Sequence, residues 1–261
     1  MDLGIRGKVA LVTGASEGLG LASARALAGE GAELAIAARR PDRLRAAAEE
    51  ICAATGAEIL ALPADVADRD AAARLVEEVS KRLGPVEILV ANCGGPRPGS
   101  FSDLGWDEWV RAFGQVVGPV HHLVSAVLPA MREACWGRIV SIQSVSVRQP
   151  VASLLLSNAL RPAAAGLVKG LAAELAPVGI TINVVGPGPS RTGRILQLGR
   201  FRSPGTSDDE IARSLGEDLP IGRLVEPDEV AAAVAWLCSV QAAAVTGAYF
   251  PVDGGMIRGQ M

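Results

Sequence analysis

The stretch Val9–Gly20, VALVTGASEGLG, decides the fold. Val9, Leu11 and Val12 are β-branched or aliphatic and suit a short buried strand. Gly14, Gly18 and Gly20 follow at a G-x-x-x-G-x-G spacing behind Thr13. Residues without a Cβ let the main chain approach a ligand closely and adopt left-handed conformations. From Leu19 onward LGLASARALAG carries helical apolar spacing, so the turn stands at a helix N-terminus. Exposed N–H groups and the positive end of the helix dipole favour a phosphate there. A lone glycine pattern is weak evidence, and the plainer reading is a tight strand-to-helix turn with no ligand.

Working outward, strand-like apolar runs recur at residues 9–12, 33–38, 58–62, 87–90, 138–142, 181–185 and 248–252. Helical patterns lie between them at 41–54, 68–83, 106–131, 154–175 and 226–239. Alternating strands and helices with near-continuously apolar strands predict a parallel sheet covered on both faces. The resulting class is a single α/β domain over residues 1–261, with a doubly wound sheet of about seven strands. Ligands in such sheets sit at the carboxyl ends of the strands. Residues 186–216, rich in Gly, Pro, Arg and Ser, form the only long stretch without periodicity. Placed after a strand end, residues 187–216 read as a substrate lid, with plain disorder as the alternative. Pro162 would bend a helix if it lies in the interior of one.

Bulk properties narrow the function. The 261 residues carry a net charge of −3, so no basic footprint points to nucleic acid or an anionic membrane surface. No apolar run reaches the ~18 residues of a membrane span. The N-terminus lacks the charged and apolar regions of a signal peptide. Cys52, Cys93, Cys135 and Cys238 are scattered with no C-x-x-C pair, which argues against a disulfide or zinc framework and fits a reducing cytoplasm. His121 and His122 are adjacent and cannot share a helix face, so metal binding is not expected; one packed and one exposed is the preferred reading. Trp106, Trp109 and Trp136 read as helix packing.

Together these segments resemble the short-chain dehydrogenase/reductase family across nearly the whole chain. TGASEGLG matches its T-G-x-x-x-G-x-G turn at Thr13, Gly14, Gly18 and Gly20. ILVANCGG matches the stretch after the fourth strand through Asn92 and Gly94, with Ala91 and Cys93 departing from the usual asparagine and alanine. Pro187, Gly188 and Thr192 match the P-G-x-x-x-T segment, and the C-terminal LPIGRLVEPDEVAAAVAWLCS with VTGAYFPVDGG looks like the 3-oxoacyl-carrier-protein reductase branch. The resemblance implies a Rossmann-type fold and a dinucleotide held by Gly14, Ser16, Glu17, Gly18, Leu19 and Gly20. It places Asp65 beside the adenine, Val66, Asn92 and Gly94 among the cofactor-binding positions, and Pro187, Gly188 and Thr192 at the nicotinamide carboxamide. Cofactor choice falls to the end of the second strand, where IAARRPDR carries Arg39 and Arg40 and no acid until Asp42. An arginine fork suits a 2′-phosphate, which favours NADP(H) over NAD(H). Glu17 pulls the other way, and Arg40 reads equally as a solvated charge at a helix start.

The family normally reduces carbonyls with Asn, Ser, Tyr and Lys. Ser144 matches the serine; thirteen residues on stands Ser157 at the tyrosine position, and four further Arg161 at the lysine position. The asparagine position is Val116, with Gln115 as its polar neighbour, and the only tyrosine, Tyr249, is far along the chain. A serine hydroxyl is a poorer general acid than a phenol and reaches less far. Arg161 could hold ribose hydroxyls and stabilise an alkoxide but cannot relay a proton. The readings that remain are an NADP(H)-dependent carbonyl reductase working through Ser144, Ser157 and Arg161 with water or a substrate group as acid, a non-redox enzyme such as a dehydratase, isomerase or cyclase, and a dinucleotide-binding partner subunit. The expected partners are a small carbonyl substrate, free or acyl-carrier-protein-linked, and further copies of the chain in a homotetramer or homodimer. Arg191, Arg194, Arg200 and Arg202 of the lid segment could meet a phosphopantetheine or a carboxylate, or lie salt-bridged on the surface.

Overall fold

A strand buried on both faces needs apolar side chains at every position; each of the seven apolar runs forms a strand, the five inner ones largely buried and the two edge ones partly exposed. In the computed structural model, which describes residues 2–259, the strands are β1 (Val9–Thr13), β2 (Glu33–Ala38), β3 (Ile59–Pro63), β4 (Ile88–Ala91), β5 (Gly137–Ile142), β6 (Ile180–Pro187) and β7 (Tyr249–Val252). All neighbours pair in parallel in the order β3-β2-β1-β4-β5-β6-β7. Side chains alternate between two cores. Val9, Leu11, Ala35 and Leu89 face α3 (Arg69–Arg82), α4 (Trp106–Val116), α5 (Gly118–Glu133) and α6 (Leu155–Leu175). Ala10, Val12, Leu34 and Ile36 face α1 (Gly18–Gly29), α2 (Pro41–Thr55) and α9 (Pro227–Leu237). The strand order reverses between β1 and β4, which opens a crevice beyond their carboxyl ends.

Three expectations need correction. The pattern over residues 106–131 is two helices, α4 and α5, parted at Val117. Pro119 has no N–H to continue a helix from α4, and it is well placed in the first turn of a new one. The aperiodic stretch 186–216 is mostly helical: β6 runs through Pro187, and α7 (Gly193–Arg202) and α8 (Asp208–Glu217) follow. Ser207 and Glu210 form a reciprocal capping box that starts α8, and Arg200 joins the two helices through Asp208 at 2.5 Å. Trp106 is 77% exposed and packs nothing, whereas Trp109 and Trp136 do pack against the cores, Trp136 with Lys8 and Arg138 over its ring.

Pro162 lies inside α6, which stays continuous across it. Having no N–H, it leaves the Asn158 carbonyl without its helical partner. The Asn158 side chain meanwhile clasps Val151, accepting its N–H and donating to its carbonyl, both at 2.9 Å. His121 is exposed and His122 half-buried, its Nδ1 3.4 Å from the Val66 carbonyl. All four cysteines are free.

Candidate active site

The crevice begins where β1 and β4 end. Thr13 Oγ1 donates to the Asn92 carbonyl at 2.8 Å and accepts the Asn92 N–H at 3.1 Å, and Asn92 Nδ2 donates to the Gly14 carbonyl at 3.1 Å. This clasp holds the turn open toward the ligand side. Gly14 and Gly18 have φ of +58° and +59°, which a side chain would strain. A Cβ on Gly20 would stand 2.2 Å from the Gly14 carbonyl oxygen, and one on Gly18 3.2 Å from the Thr192 methyl. Helix α1 starts at Gly18 with no side-chain cap from Glu17 and no acidic residue in its first turn. Its leading N–H groups are therefore left for an anion.

The remaining cofactor candidates surround that turn. Ser16 and Leu19 are half-buried in it. Glu17 points outward and pairs with Arg40 at 3.2 Å and Arg43 at 2.6 Å. Arg39 is exposed at the end of β2 and enters no ion pair among the described residues. Asp65 is exposed after β3, accepting the Ala67 N–H at 3.1 Å, and Val66 is buried beside it. Gly94 has nothing within 4 Å of where a Cβ would be, so open space lies there. Pro187 ends β6, a Cβ on Gly188 would stand 2.8 Å from the Asp253 backbone, and Thr192 precedes α7 with its hydroxyl donating to the Ser190 carbonyl at 3.3 Å. A cavity of about 260 Å³ runs between Gly18, Leu21, Arg191 and Thr192.

One strand along, α6 carries Ser157 and Arg161 against the turn that holds Ser144. Ser144 leaves β5 in extended backbone, its hydroxyl accepting the Ser146 N–H at 3.2 Å. The Ser146 hydroxyl reaches the Ser157 carbonyl at 3.5 Å, tying α6 to this turn. Ser157 and Arg161 are 6% and 8% exposed. Arg161 Nη1 donates to the backbone carbonyl of Gln143 at 2.8 Å and to its Oε1 at 3.2 Å. Gln143 is fixed in turn by donating to Ser141 Oγ at 2.7 Å. Burial pulls the Arg161 guanidinium below the usual arginine range, and the nearby Cys93 opposes that. The Cys93 thiol is pushed up by burial, against the pull of Arg161. Val116, by contrast, is fully buried at the end of α4 as a core residue, with Gln115 half-buried beside it.

A family model described as enoyl-(acyl carrier protein) reductase matches residues 14–257. The chain belongs to the short-chain dehydrogenase/reductase family. This dehydrogenase/reductase is 35% identical over 254 residues to the 3-oxoacyl-(acyl-carrier-protein) reductase of Pseudomonas aeruginosa, covering 97% of this chain and 99% of that one. It resembles L-sorbose reductase from Gluconobacter frateurii complexed with NADPH and L-sorbose, with a TM-score of 0.94, 31% identity and coverage of 99% and 100%. It also resembles a variant of actinorhodin polyketide ketoreductase with NADPH, with a TM-score of 0.91, 36% identity and coverage of 95% and 97%.

Within this dehydrogenase/reductase, two residues acquire neighbours that sequence distance conceals. Tyr249, 105 positions from Ser144, donates its hydroxyl to the Ser144 carbonyl at 3.1 Å. It reaches there because β7 pairs with β6 and because Gly186 leaves room: a Cβ on Gly186 would stand 2.0 Å from that hydroxyl. Burial first and the Asp253 carboxylate second push the phenol above its ordinary range, with Arg148 over the ring opposing. The second is Arg194. Of the lid-segment arginines, Arg191 pairs with Glu226 at 2.9 Å, Arg200 with Asp208, and Arg202 holds the Ala152 carbonyl at 2.7 Å. Arg194 instead turns inward, onto the Pro96 carbonyl at 2.6 Å and Gln197 Oε1 at 2.8 Å.

Proposed function

We propose that this chain is an NADP(H)-dependent reductase of ketone carbonyls in which Ser144, Ser157 and Arg161 occupy the stations that serine, tyrosine and lysine hold in relatives. The observation that carries the reading is Arg161, a buried guanidinium anchored by Gln143 beside Ser144, in a crevice that also holds the uncapped start of α1. The Gly14–Gly20 turn fits a pyrophosphate: its glycines keep side chains out, and its N–H groups lack an internal anion. Asn92 and Thr13 would hold that turn in shape, and Pro187, Gly188 and Thr192 would flank the nicotinamide end. Arg39, exposed and without an ion pair among the described residues, supports NADP(H) through its 2′-phosphate.

A dihydronicotinamide held there would supply hydride to the carbonyl carbon. The Ser144 hydroxyl orients the carbonyl oxygen by donating to it, and Arg161 stabilises the charge that develops there. A permanently charged guanidinium gives up no proton, so the alkoxide takes its proton from water or a substrate group beside Ser157. This arrangement loses the general acid that a phenol would be, a contribution typically of about 10²–10⁴-fold in rate. The α7–α8 segment, linked inward by Arg194, serves as the lid. The exposed apolar edge formed by Phe101, Trp106, Val110 and Phe113 supports self-association of the chain. No helix among the described residues is long and apolar enough to cross a membrane.

The test is NADPH consumption with activated ketones and 3-oxoacyl thioesters. Ser144→Ala should slow it by about 10²-fold, the scale of losing one oxyanion donor. The paired change Ser157→Tyr with Arg161→Lys should raise the rate by a comparable factor. No consumption with any ketone, while NADPH still raises the melting temperature, turns the assignment to a non-redox enzyme or a binding subunit.

A further inference from the structure

We infer that Arg161 and Arg194 together form a receptor for the carboxylate of the substrate, which makes a short oxo acid the preferred ketone. The two guanidiniums reach the same loop from different elements. Arg161, on α6, is anchored on the Gln143 carbonyl just past the end of β5, where the parallel pairing of Ala91 with Ser141 brings Cys93 alongside; Arg194, on α7, covers Gly95, where a Cβ would come within 3.0 Å of its Nη2, and donates to the Pro96 carbonyl. Residues 93–96 thus run between two cations at the carboxyl end of β4.

Neither cation is neutralised. Their hydrogen-bond partners are the Gln143 and Pro96 carbonyls and the amide oxygens of Gln143 and Gln197, all uncharged. Neither arginine enters an ion pair among the described residues, unlike Arg191, Arg200 and Arg223 of the neighbouring segment. Burial and the charge of Arg161 both pull the Arg194 guanidinium below its usual range. A buried guanidinium with a half-buried one near it and no counter-ion is costly unless an anion completes the site. The thiol of Cys93, pushed up by burial, does not supply it.

A carboxylate suits the vacancy in charge. Arginine forks bind it through paired N–H donors, and Arg161 uses one terminal nitrogen on Gln143, leaving its remaining donors for a ligand. The receptor adjoins Ser144, the group assigned to the carbonyl oxygen, whereas the phosphate turn is at Gly14–Gly20 on β1 and α1. An anion held between these arginines is then the carboxylate of the ketone substrate itself.

This inference rests on the reductase reading for turnover only; binding is read separately. Calorimetric titration in the presence of NADP+, which carries no hydride, would use 2-oxobutyrate and acetoacetate against their methyl esters. The acids should bind at least tenfold tighter than the esters. Arg194→Met should abolish that preference, Arg194→Lys should retain part of it, and both variants should keep the parental NADP+ affinity, which also reports that they are folded. Equal or undetectable binding of acid and ester overturns the receptor, as does an Arg194→Met variant that loses NADP+ as strongly as the acid. A protein that prefers the acids yet oxidises no NADPH would sink the reductase reading and leave the receptor standing.

Discussion

Replacing Tyr249 by Phe removes one oxygen and leaves the ring on Gly186 and under Arg148. The Ser144 carbonyl loses the donor that holds it at 3.1 Å. A neutral hydrogen bond of this kind is worth about 1 kcal/mol net. For a chain of 261 residues that is a fall of about 2–4 °C in Tm. If the whole of it were expressed at Ser144, kcat would fall by no more than about tenfold, since ~1.4 kcal/mol corresponds to tenfold. Stopped-flow NADPH oxidation and differential scanning calorimetry on the same sample measure both. A loss above about 100-fold would refute the reasoning, because it belongs to a proton donor and not to a buttress. An unchanged Tm would refute it from the other side. The pH dependence has a definite sign. Tyr249 is raised in the folded protein, so its contribution is present below the unfolded phenol value near 10 and is lost as pH rises from there through the folded value. The gap in Tm between parent and variant should close above about pH 10.

Gly20→Ala should be severe, because its Cβ would meet the Gly14 carbonyl oxygen, a backbone atom that cannot swing aside. A cost of about 1–3 kcal/mol is expected in chemical denaturation, with loss of dinucleotide binding. Gly94→Ala is the contrasting case: with nothing within 4 Å, it should leave Tm unchanged, so weakened NADPH binding in a fluorescence titration would report that the cofactor fills that space. Glu17→Gln should release Arg40 and Arg43 from their ion pairs and tighten NADPH severalfold while leaving NADH nearly unchanged. Equal effects on the two cofactors would remove the 2′-phosphate argument.

The sheet was legible because two-sided burial writes itself as unbroken apolar runs, and every strand lies within a residue or two of its run. Helix boundaries were less so. The pattern across Trp106–Met131 is continuous in hydrophobicity, and only Gly118-Pro119 signals that a new helix starts. The α7–α8 segment hides behind its Gly, Pro and Arg content, although Ser207-Asp208-Asp209-Glu210 is a capping-box signature at its second helix. At the site, α6 lies against the turn after β5, through Ser146 on the Ser157 carbonyl and Arg161 on Gln143, as the spacing on strand and helix implies. Tyr249 and Arg194 could not be placed by spacing, since β7–β6 register and the fold-back of α7 put them there. The four arginines between residues 187 and 216 look alike in sequence; only their partners separate three surface-anchored ones from the one turned inward.

Pro162 and the Val151 clasp have a mechanical consequence. The first turn of α6 is short of one helical bond to the rest of its helix and is fastened to the preceding loop. That loop is itself gripped by α7, through Arg202 on the Ala152 carbonyl. Ser157 thus takes its position from the loop as well as from the helix that bears it. A shift of α7 pulls on Ala152, then Val151, then Asn158, and arrives at the neighbouring hydroxyl as a change of aim, while Arg161, braced on Gln143, stays where it is.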